Sequence, residues 1–154
     1  MSTPGIILRS GEPSDLQRLL ALAESCPGAP RWGARTWQQI LESPQAGVQR
    51  IVLIAESVNE CVGFGVLNLG ADDAEIESLA VNTSWRRRGI ARRLCLDLLS
   101  WARARGARRA SLEVRVSNTA GRMLYESLGF HEVAVRRGYY REPEEDALVM
   151  TAQL

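Results

Sequence analysis

One stretch, residues 75–93, constrains the fold more than any other part of the chain; its sequence is EIESLAVNTSWRRRGIARR. Residues 75–82 are predicted to form a strand, and an amphipathic helix is predicted to begin after Gly89. Where a strand passes through a small residue into a helix, main-chain N–H groups are free to bind an anion, and the helix dipole adds partial positive charge. The segment Arg86–Ala91 is therefore a candidate phosphate-binding loop.

The positive charge of the chain is concentrated around this loop. The net charge is +1 and there is no lysine, yet residues 86–109 contain nine arginines and one aspartate. This distribution predicts a polyanionic ligand that binds locally. A protein that binds nucleic acid over its whole surface would carry a higher overall charge, so nucleic acid is not an expected partner.

Length and composition are typical of one soluble domain. The chain has 154 residues, of which 45% are hydrophobic and 24% charged, so we expect a single domain over residues 1–154. No apolar run could span a bilayer and the first residues do not resemble a signal peptide, which predicts a cytoplasmic protein without a membrane partner. Three dispersed cysteines and one histidine make a metal site improbable.

Hydrophobic periodicity predicts the element order β-α-α-β-β-β-α-β-α-β-β. The last two strands are expected at about residues 131–137 and 147–153, separated by an acidic turn over residues 142–146. Hairpins combined with crossovers imply an α/β (α+β) fold, in which a mixed sheet of about seven strands is flanked by about four helices. The loop Cys26–Gly33 has no predicted role.

With this order in place, the chain resembles the GNAT family of N-acetyltransferases. Residues 86–91, with the sequence RRRGIA, match the family's acetyl-CoA motif, Gln/Arg-x-x-Gly-x-Gly/Ala, and the stretch LEVRVSNTAGRMLYESLGF at 112–130 resembles its second conserved block. Within the family the likeness is greatest to the ribosomal-protein-alanine N-acetyltransferases. Those enzymes share the segments at 112–118, 124–130, 136–140 and 145–147.

The resemblance implies that acetyl-CoA is the co-substrate and that no metal is needed. The backbone of Leu79, Ala80 and Val81 would bind the pantetheine arm, and Asn118 would either contact CoA or only cap a helix. The pyrophosphate would be bound by Arg87, Arg88, Gly89, Ile90, Ala91 and Arg92.

The resemblance also implies which residues carry out the chemistry. Glu113, on the polar face of an alternating strand, matches the general base, and Tyr125 matches the general acid that protonates the departing thiolate. Glu77, on the preceding strand, is the alternative base. The structural alternatives are that Glu113 is a surface glutamate paired with an arginine, and that Tyr125 only packs on the sheet.

Tyr139 and Tyr140, expected in the turn region before the last strand, would line the slot for the acceptor. The sequence thus predicts an enzyme that acetylates the N-terminal α-amine of a protein or peptide by direct attack in a ternary complex; a ribosomal protein is one candidate. Two alternatives remain open at this point. One is an acetyltransferase for a small amine or a lysine side chain, and the other is a non-catalytic module that senses acetyl-CoA or binds nucleic acid.

Overall fold

The computed structural model describes residues 5–26, 28–29, 32–42, 49–58 and 60–154. In these residues, seven strands and four α-helices follow the predicted order. The strands are β1 Ile6–Ser10, β2 Gln49–Ser57, β3 Glu60–Leu69, β4 Asp73–Val81, β5 Arg109–Arg115, β6 His131–Arg141 and β7 Glu144–Gln153. The helices are α1 Leu16–Ser25, α2 Ala34–Leu41, α3 Ile90–Ala104 and α4 Thr119–Ser127, with 3-10 turns at Pro13–Asp15 and Thr83–Trp85. Parts of the Cys26–Gly33 loop and the segment 43–48 lie outside the described residues.

All seven strands belong to one sheet, in the order β1-β2-β3-β4-β5-β7-β6. Among the described strands, β4 and β5 form the parallel pair and every other neighbouring pair is antiparallel. A parallel pair requires a crossover connection, and α3 supplies it. The mixed sheet therefore confirms the predicted fold class.

The helices cover two different faces of the sheet. α1 and α2 pack on what we call the front face, where the Trp37 ring lies 5.1 Å from that of Phe64. α3 packs on the opposite, back face through Leu94 and Leu98, which are fully buried and stabilise the fold by about 2 kcal/mol each. α3 lies close to β3 because Gly65 has no side chain; a Cβ there would be 2.7 Å from Cδ1 of Leu98. None of the described helices has the length and apolar character needed to cross a membrane.

The final hairpin is longer than predicted. β6 continues to Arg141 and β7 begins at Glu144. Most of the acidic segment is therefore strand, and the turn is confined to residues 142–143. Glu145 is stable in a strand because its carboxylate has donors, namely the main-chain N–H of Ser117 at 2.6 Å and Arg115 at 3.2 Å. These partners lie far away in sequence, so a local pattern does not reveal them.

The pairing of β4 with β5 ends halfway along both strands. Residues 73–76 of β4 pair with residues 109–112 of β5, and beyond them each strand continues only with its other neighbour. The strands therefore diverge and leave an open wedge between residues 77–81 and 113–115. Glu77 is an extra residue in β4 where the wedge begins, since Val66 pairs with Ser78 and Leu67 with Ile76. Such a bulge increases the local twist and bends the strand.

Candidate active site

The β4 side of the wedge is formed by Leu79, Ala80 and Val81. These residues pair with β3 on one side. Their other edge faces the wedge and is not paired with β5. Along such an edge, the N–H and C=O groups of every second residue point away from the strand. An extended chain of amides could hydrogen-bond to this edge as an added strand. The predicted pantetheine contacts thus lie in the gap that such a chain would fill.

The phosphate-binding loop, Arg86–Ala91, has the backbone geometry that anion binding requires. Arg87 and Gly89 both adopt the left-handed conformation, with φ of 63° and 76°. α3 begins at Ile90, so the N–H groups of its first turn have no partner within the helix and can bind an anion. Positive φ also explains why a glycine is needed at position 89.

Arginines of this loop and of the first turn of α3 contact neighbouring parts of the fold. The Arg86 side chain donates to the carbonyl of Val81 at 3.5 Å, and the Arg88 guanidinium lies 4.5 Å from the centre of the Trp85 ring. Arg92 donates to the Ser127 hydroxyl on α4 at 2.8 Å. Asn118 caps α4 by accepting from the N–H of Gly121 at 2.9 Å. The capping role predicted for Asn118 is therefore confirmed, and its contact with CoA stays a prediction.

Glu113 projects from the front face of β5, because its neighbours Leu112 and Val114 are buried on the back face. Its side chain is 20% exposed and lies where β4 and β5 separate. Arg136 donates to Oε1 at 2.8 Å, whereas Oε2 is buried and has no hydrogen-bond partner among the residues that the structure describes. The expected pairing with an arginine is therefore present, but it uses one oxygen and leaves the other for a ligand.

The two tyrosines lie beside Glu113, within β6 and not in the turn as predicted. Three residues of β6, 137–139, bulge out opposite Asp146, whose carboxylate accepts from the N–H of Gly138 at 2.8 Å. The bulge brings Tyr139 and Tyr140 to 5.1 Å from each other, edge to face.

Each tyrosine ring is covered by an arginine. Arg136 lies 4.2 Å from the Tyr139 ring and Arg115 lies 4.2 Å from the Tyr140 ring. Burial and the Glu113 charge raise the pKa of Tyr140 to about 12, and the same causes raise that of Tyr139. Both hydroxyls therefore remain protonated at neutral pH and can donate hydrogen bonds.

Tyr125 lies on the inner side of α4, is 9% exposed and packs edge-on against Phe130 at 6.0 Å. Burial raises its pKa, and the neighbouring Cys95 and Tyr140 raise it further. Tyr140 is close enough to Tyr125 to raise its pKa, and the Glu113 charge in turn raises the pKa of Tyr140. A tyrosine with a raised pKa keeps its proton at neutral pH, as a general acid must.

Glu77, the alternative base, forms an ion pair with Arg50. Arg50 donates to both of its carboxylate oxygens, at 2.6 and 3.0 Å. Glu75, two residues earlier, lies close to both Glu77 and Glu113. The side chain of Glu75 is exposed, and partial desolvation together with these two negative charges raises its pKa. Arg50 and Arg136 were not predicted as parts of the site; the tyrosine segment pointed to Arg136, but no pattern pointed to Arg50.

Residues 16–130 match the family model described as acetyltransferase (GNAT) family. The chain therefore belongs to the GNAT family, and the resemblance seen in the sequence is confirmed. As a member of this family it is an N-acetyltransferase whose acetyl donor is acetyl-CoA. The wedge and the phosphate-binding loop fit this donor, because one offers an edge for an amide chain and the other N–H groups for a pyrophosphate.

Several relatives are similar over more than half of the chain. The chain is 40% identical to the ribosomal protein bS18-alanine N-acetyltransferase of Salmonella typhimurium over 89 residues. This aligned segment covers 56% of this chain and 60% of that protein. It is 35% identical over 142 residues to the N-alpha-acetyltransferase RimI of Mycobacterium tuberculosis, covering 89% and 85% of the two chains. The crystal structure of the ribosomal-protein-S18-alanine N-acetyltransferase from Escherichia coli superposes with a TM-score of 0.83 at 28% identity, over 96% of this chain and 93% of that one.

Proposed function

We propose that this protein transfers the acetyl group of acetyl-CoA to the N-terminal α-amine of a protein or peptide. The observation that carries the proposal is the position of Glu113 at the closed end of the β4–β5 wedge, with the phosphate-binding loop beyond the open end of the β4 side. A donor bound along the wedge would bring its thioester towards the buried oxygen of Glu113. The names of the Salmonella, Mycobacterium and Escherichia relatives support an α-amine of a protein as the acceptor.

The residues divide the reaction between them. The acceptor ammonium loses a proton to Glu113, and its nitrogen then forms a bond to the acetyl carbon while the carbon–sulfur bond breaks. Tyr125 gives its proton to the sulfur of CoA and is reprotonated, through solvent, by the second proton that leaves the acceptor nitrogen, while Glu113 releases its proton to solvent. Arg136 keeps Glu113 in place throughout, and Tyr139 and Tyr140 form the wall of the acceptor slot.

An α-amine suits this site better than a lysine. Its pKa is about 7.7–8.0, against about 10.4 for a lysine side chain, so a carboxylate can deprotonate it at much lower cost. A ribosomal protein is the acceptor that the relatives' names favour, and we propose this class for the physiological substrate. A cytoplasmic location remains a prediction of the sequence.

Steady-state kinetics with acetyl-CoA and a short peptide bearing a free N-terminus test the role assignment. Glu113→Gln and Tyr125→Phe should each lower kcat by about 10²-fold or more, because each removes a proton-transfer group. Glu24→Gln, on the exposed surface of α1, is the matched control and should leave the rate unchanged. Rates within about threefold of the parent for both site variants would reject the roles given to them.

A further inference from the structure

The tip of the β6–β7 hairpin extends beyond the end of β5. The last pair between β5 and β7 is Arg115 with Ala147, whereas β6 and β7 stay paired with each other up to the turn at residues 142–143. One further main-chain hydrogen bond joins the N–H of Val116 to the carbonyl of Asp146. Two strands without other neighbours are only marginally stable in water, so this tip needs additional contacts.

The side chain of Arg115, the last residue of β5, makes these contacts. Its guanidinium donates to the carbonyls of Pro143 at 2.9 Å and Glu142 at 3.4 Å, and to the carboxylate of Glu145 at 3.2 Å. The same group lies 4.2 Å from the centre of the Tyr140 ring. Arg115 therefore supplies, with one side chain, contacts that a longer β5 would supply with its main chain.

Glu145 joins the hairpin to the turn between β5 and α4. One of its oxygens accepts from Arg115, and the other accepts from the N–H of Ser117 at 2.6 Å. Asp146, the next residue, accepts from the N–H of Gly138 and so stabilises the bulge that contains the first of the two tyrosines. These two carboxylates therefore serve the hairpin itself.

The position of both tyrosines is set from β5. Glu113 and Arg115 lie on the same face of this strand two residues apart, so their Cα atoms are about 7 Å from each other. Arg136, which is paired with Glu113, lies against the ring of Tyr139, and Arg115 lies against the ring of Tyr140. One arginine thus connects each ring to β5.

We propose that Arg115 is a positioning residue for the acceptor: it holds the hairpin tip against β5 and so places the Tyr140 wall of the acceptor slot relative to Glu113. The inference rests on the proposed function, since it requires this tyrosine to line the slot. A guanidinium suits the role because it is planar and donates to several acceptors while it stacks on a ring. Among the described residues, the contacts of Arg115 include neither the phosphate-binding loop nor the free edge of β4.

Steady-state kinetics with a short peptide bearing a free N-terminus test this role. Arg115→Gln should raise the KM for the peptide about tenfold, because several charge-assisted contacts are lost together, and leave the KM for acetyl-CoA within about twofold. Arg115→Lys should behave like Arg115→Gln, since an ammonium keeps the charge but not the planar contacts. Arg141→Gln, at an exposed position of the same hairpin, is the matched control and should leave both KM values unchanged. Full recovery of the peptide KM in Arg115→Lys would overturn the inference, because charge alone would then be sufficient.

A double-mutant cycle tests whether Arg115 acts through Tyr140. Tyr140→Leu already removes the wall, so the addition of Arg115→Gln to this variant should change the peptide KM by less than about threefold. If Arg115→Gln has the same tenfold effect in both backgrounds, it does not act through this tyrosine and the inference is wrong.

Hydrogen exchange measures the hairpin directly and needs no acceptor. In Arg115→Gln, the main-chain amides between residues 140 and 146 should exchange about tenfold faster than in the parent, while those of α3 keep their rates. Unchanged exchange in the hairpin, or an unchanged peptide KM, would overturn the inference and leave the proposed function intact. If the parent protein acetylates no peptide α-amine, the proposed function fails and the acceptor role of Arg115 fails with it.

Discussion

Arg136 donates to one oxygen of Glu113, and no residue in the described part of the chain hydrogen-bonds to the other. The Nη1–Oε1 distance is 2.8 Å, and the same guanidinium lies 4.2 Å from the ring of Tyr139. One arginine thus orients both the proposed general base and one proposed wall of the acceptor slot. The free Oε2, buried beside the wedge, is the oxygen that can accept a proton from the acceptor.

Replacement of Arg136 by glutamine should lower kcat/KM for the peptide by about tenfold, because Glu113 and Tyr139 lose their common support. The KM for acetyl-CoA should not change, since Arg136 is not part of the phosphate-binding loop. Steady-state kinetics with each substrate varied in turn measure both quantities. Arg137→Gln, at the exposed neighbouring position, is the matched control. Equal effects of the two substitutions would show that Arg136 has no special part in the site.

Gly89→Ala should weaken acetyl-CoA binding, because the left-handed backbone of the phosphate-binding loop is costly for alanine. Gly129, with φ of 95° after α4, offers a control of the same backbone type away from the loop. Both substitutions should lower the free energy of unfolding by about 1–3 kcal/mol. Gly89→Ala alone should raise the KM for acetyl-CoA, by about tenfold. A similar rise in Gly129→Ala would trace the effect to general destabilisation.

Asp15 should make the stability of the protein depend on acidic pH. Its carboxylate is buried and accepts from Arg9 at 2.8 and 2.9 Å and from the N–H of Glu12 at 2.8 Å. The Arg9 hydrogen bonds lower the pKa of Asp15 below its ordinary value of 3.8. A lowered pKa means that this stabilisation is complete above pH 3.8 and is lost as the pH falls through the folded-state value.

Asp15→Asn should therefore lower the free energy of unfolding by about 2 kcal/mol at neutral pH and by much less in acid. Urea unfolding of both proteins between neutral pH and about pH 2.5 measures the difference. If the two stability curves run parallel down to the lowest pH, Asp15 is not the group responsible.

All three tyrosines should resist ionisation in the folded state. Burial is the largest cause that raises the pKa of Tyr125, Tyr139 and Tyr140 above the ordinary 10.0, with Tyr140 at about 12. Because these pKa values are raised, the associated stability is present below pH 10.0 and is lost as the pH rises through the folded-state values. Ultraviolet titration of the native and the urea-unfolded protein should show tyrosinate appearing at higher pH in the native state. A native tyrosine that ionises at or below pH 10.0 would contradict this.

Local patterns were sufficient to predict the strands and helices that position the proposed site. The strand–glycine–helix pattern predicted where α3 begins in the proposed phosphate-binding loop, because helix initiation and the need for positive φ at Gly89 depend on neighbouring residues. Alternation along β5 was enough to place Glu113 on the face opposite Leu112 and Val114.

The choice between the acidic residues of β4 depended on contacts that no local pattern contains. Arg50, 27 residues before Glu77, pairs with it only because β2, β3 and β4 lie side by side. The bulge that brings Tyr139 beside Glu113 is a change of register in the sheet, which alternation alone does not reveal. Predictions from sequence therefore placed the proposed site residues on the right strands and helices, but did not reveal the ion pairs that distinguish one glutamate from another.

The most direct test of the account is mass-spectrometric location of the acetyl group on a peptide that carries both a free N-terminus and an internal lysine. After incubation with acetyl-CoA and the enzyme, the account predicts one acetyl group on the α-amine and none on the lysine, because the α-amine is deprotonated at lower cost. Acetylation of the lysine side chain, with the N-terminus left free, would contradict the account.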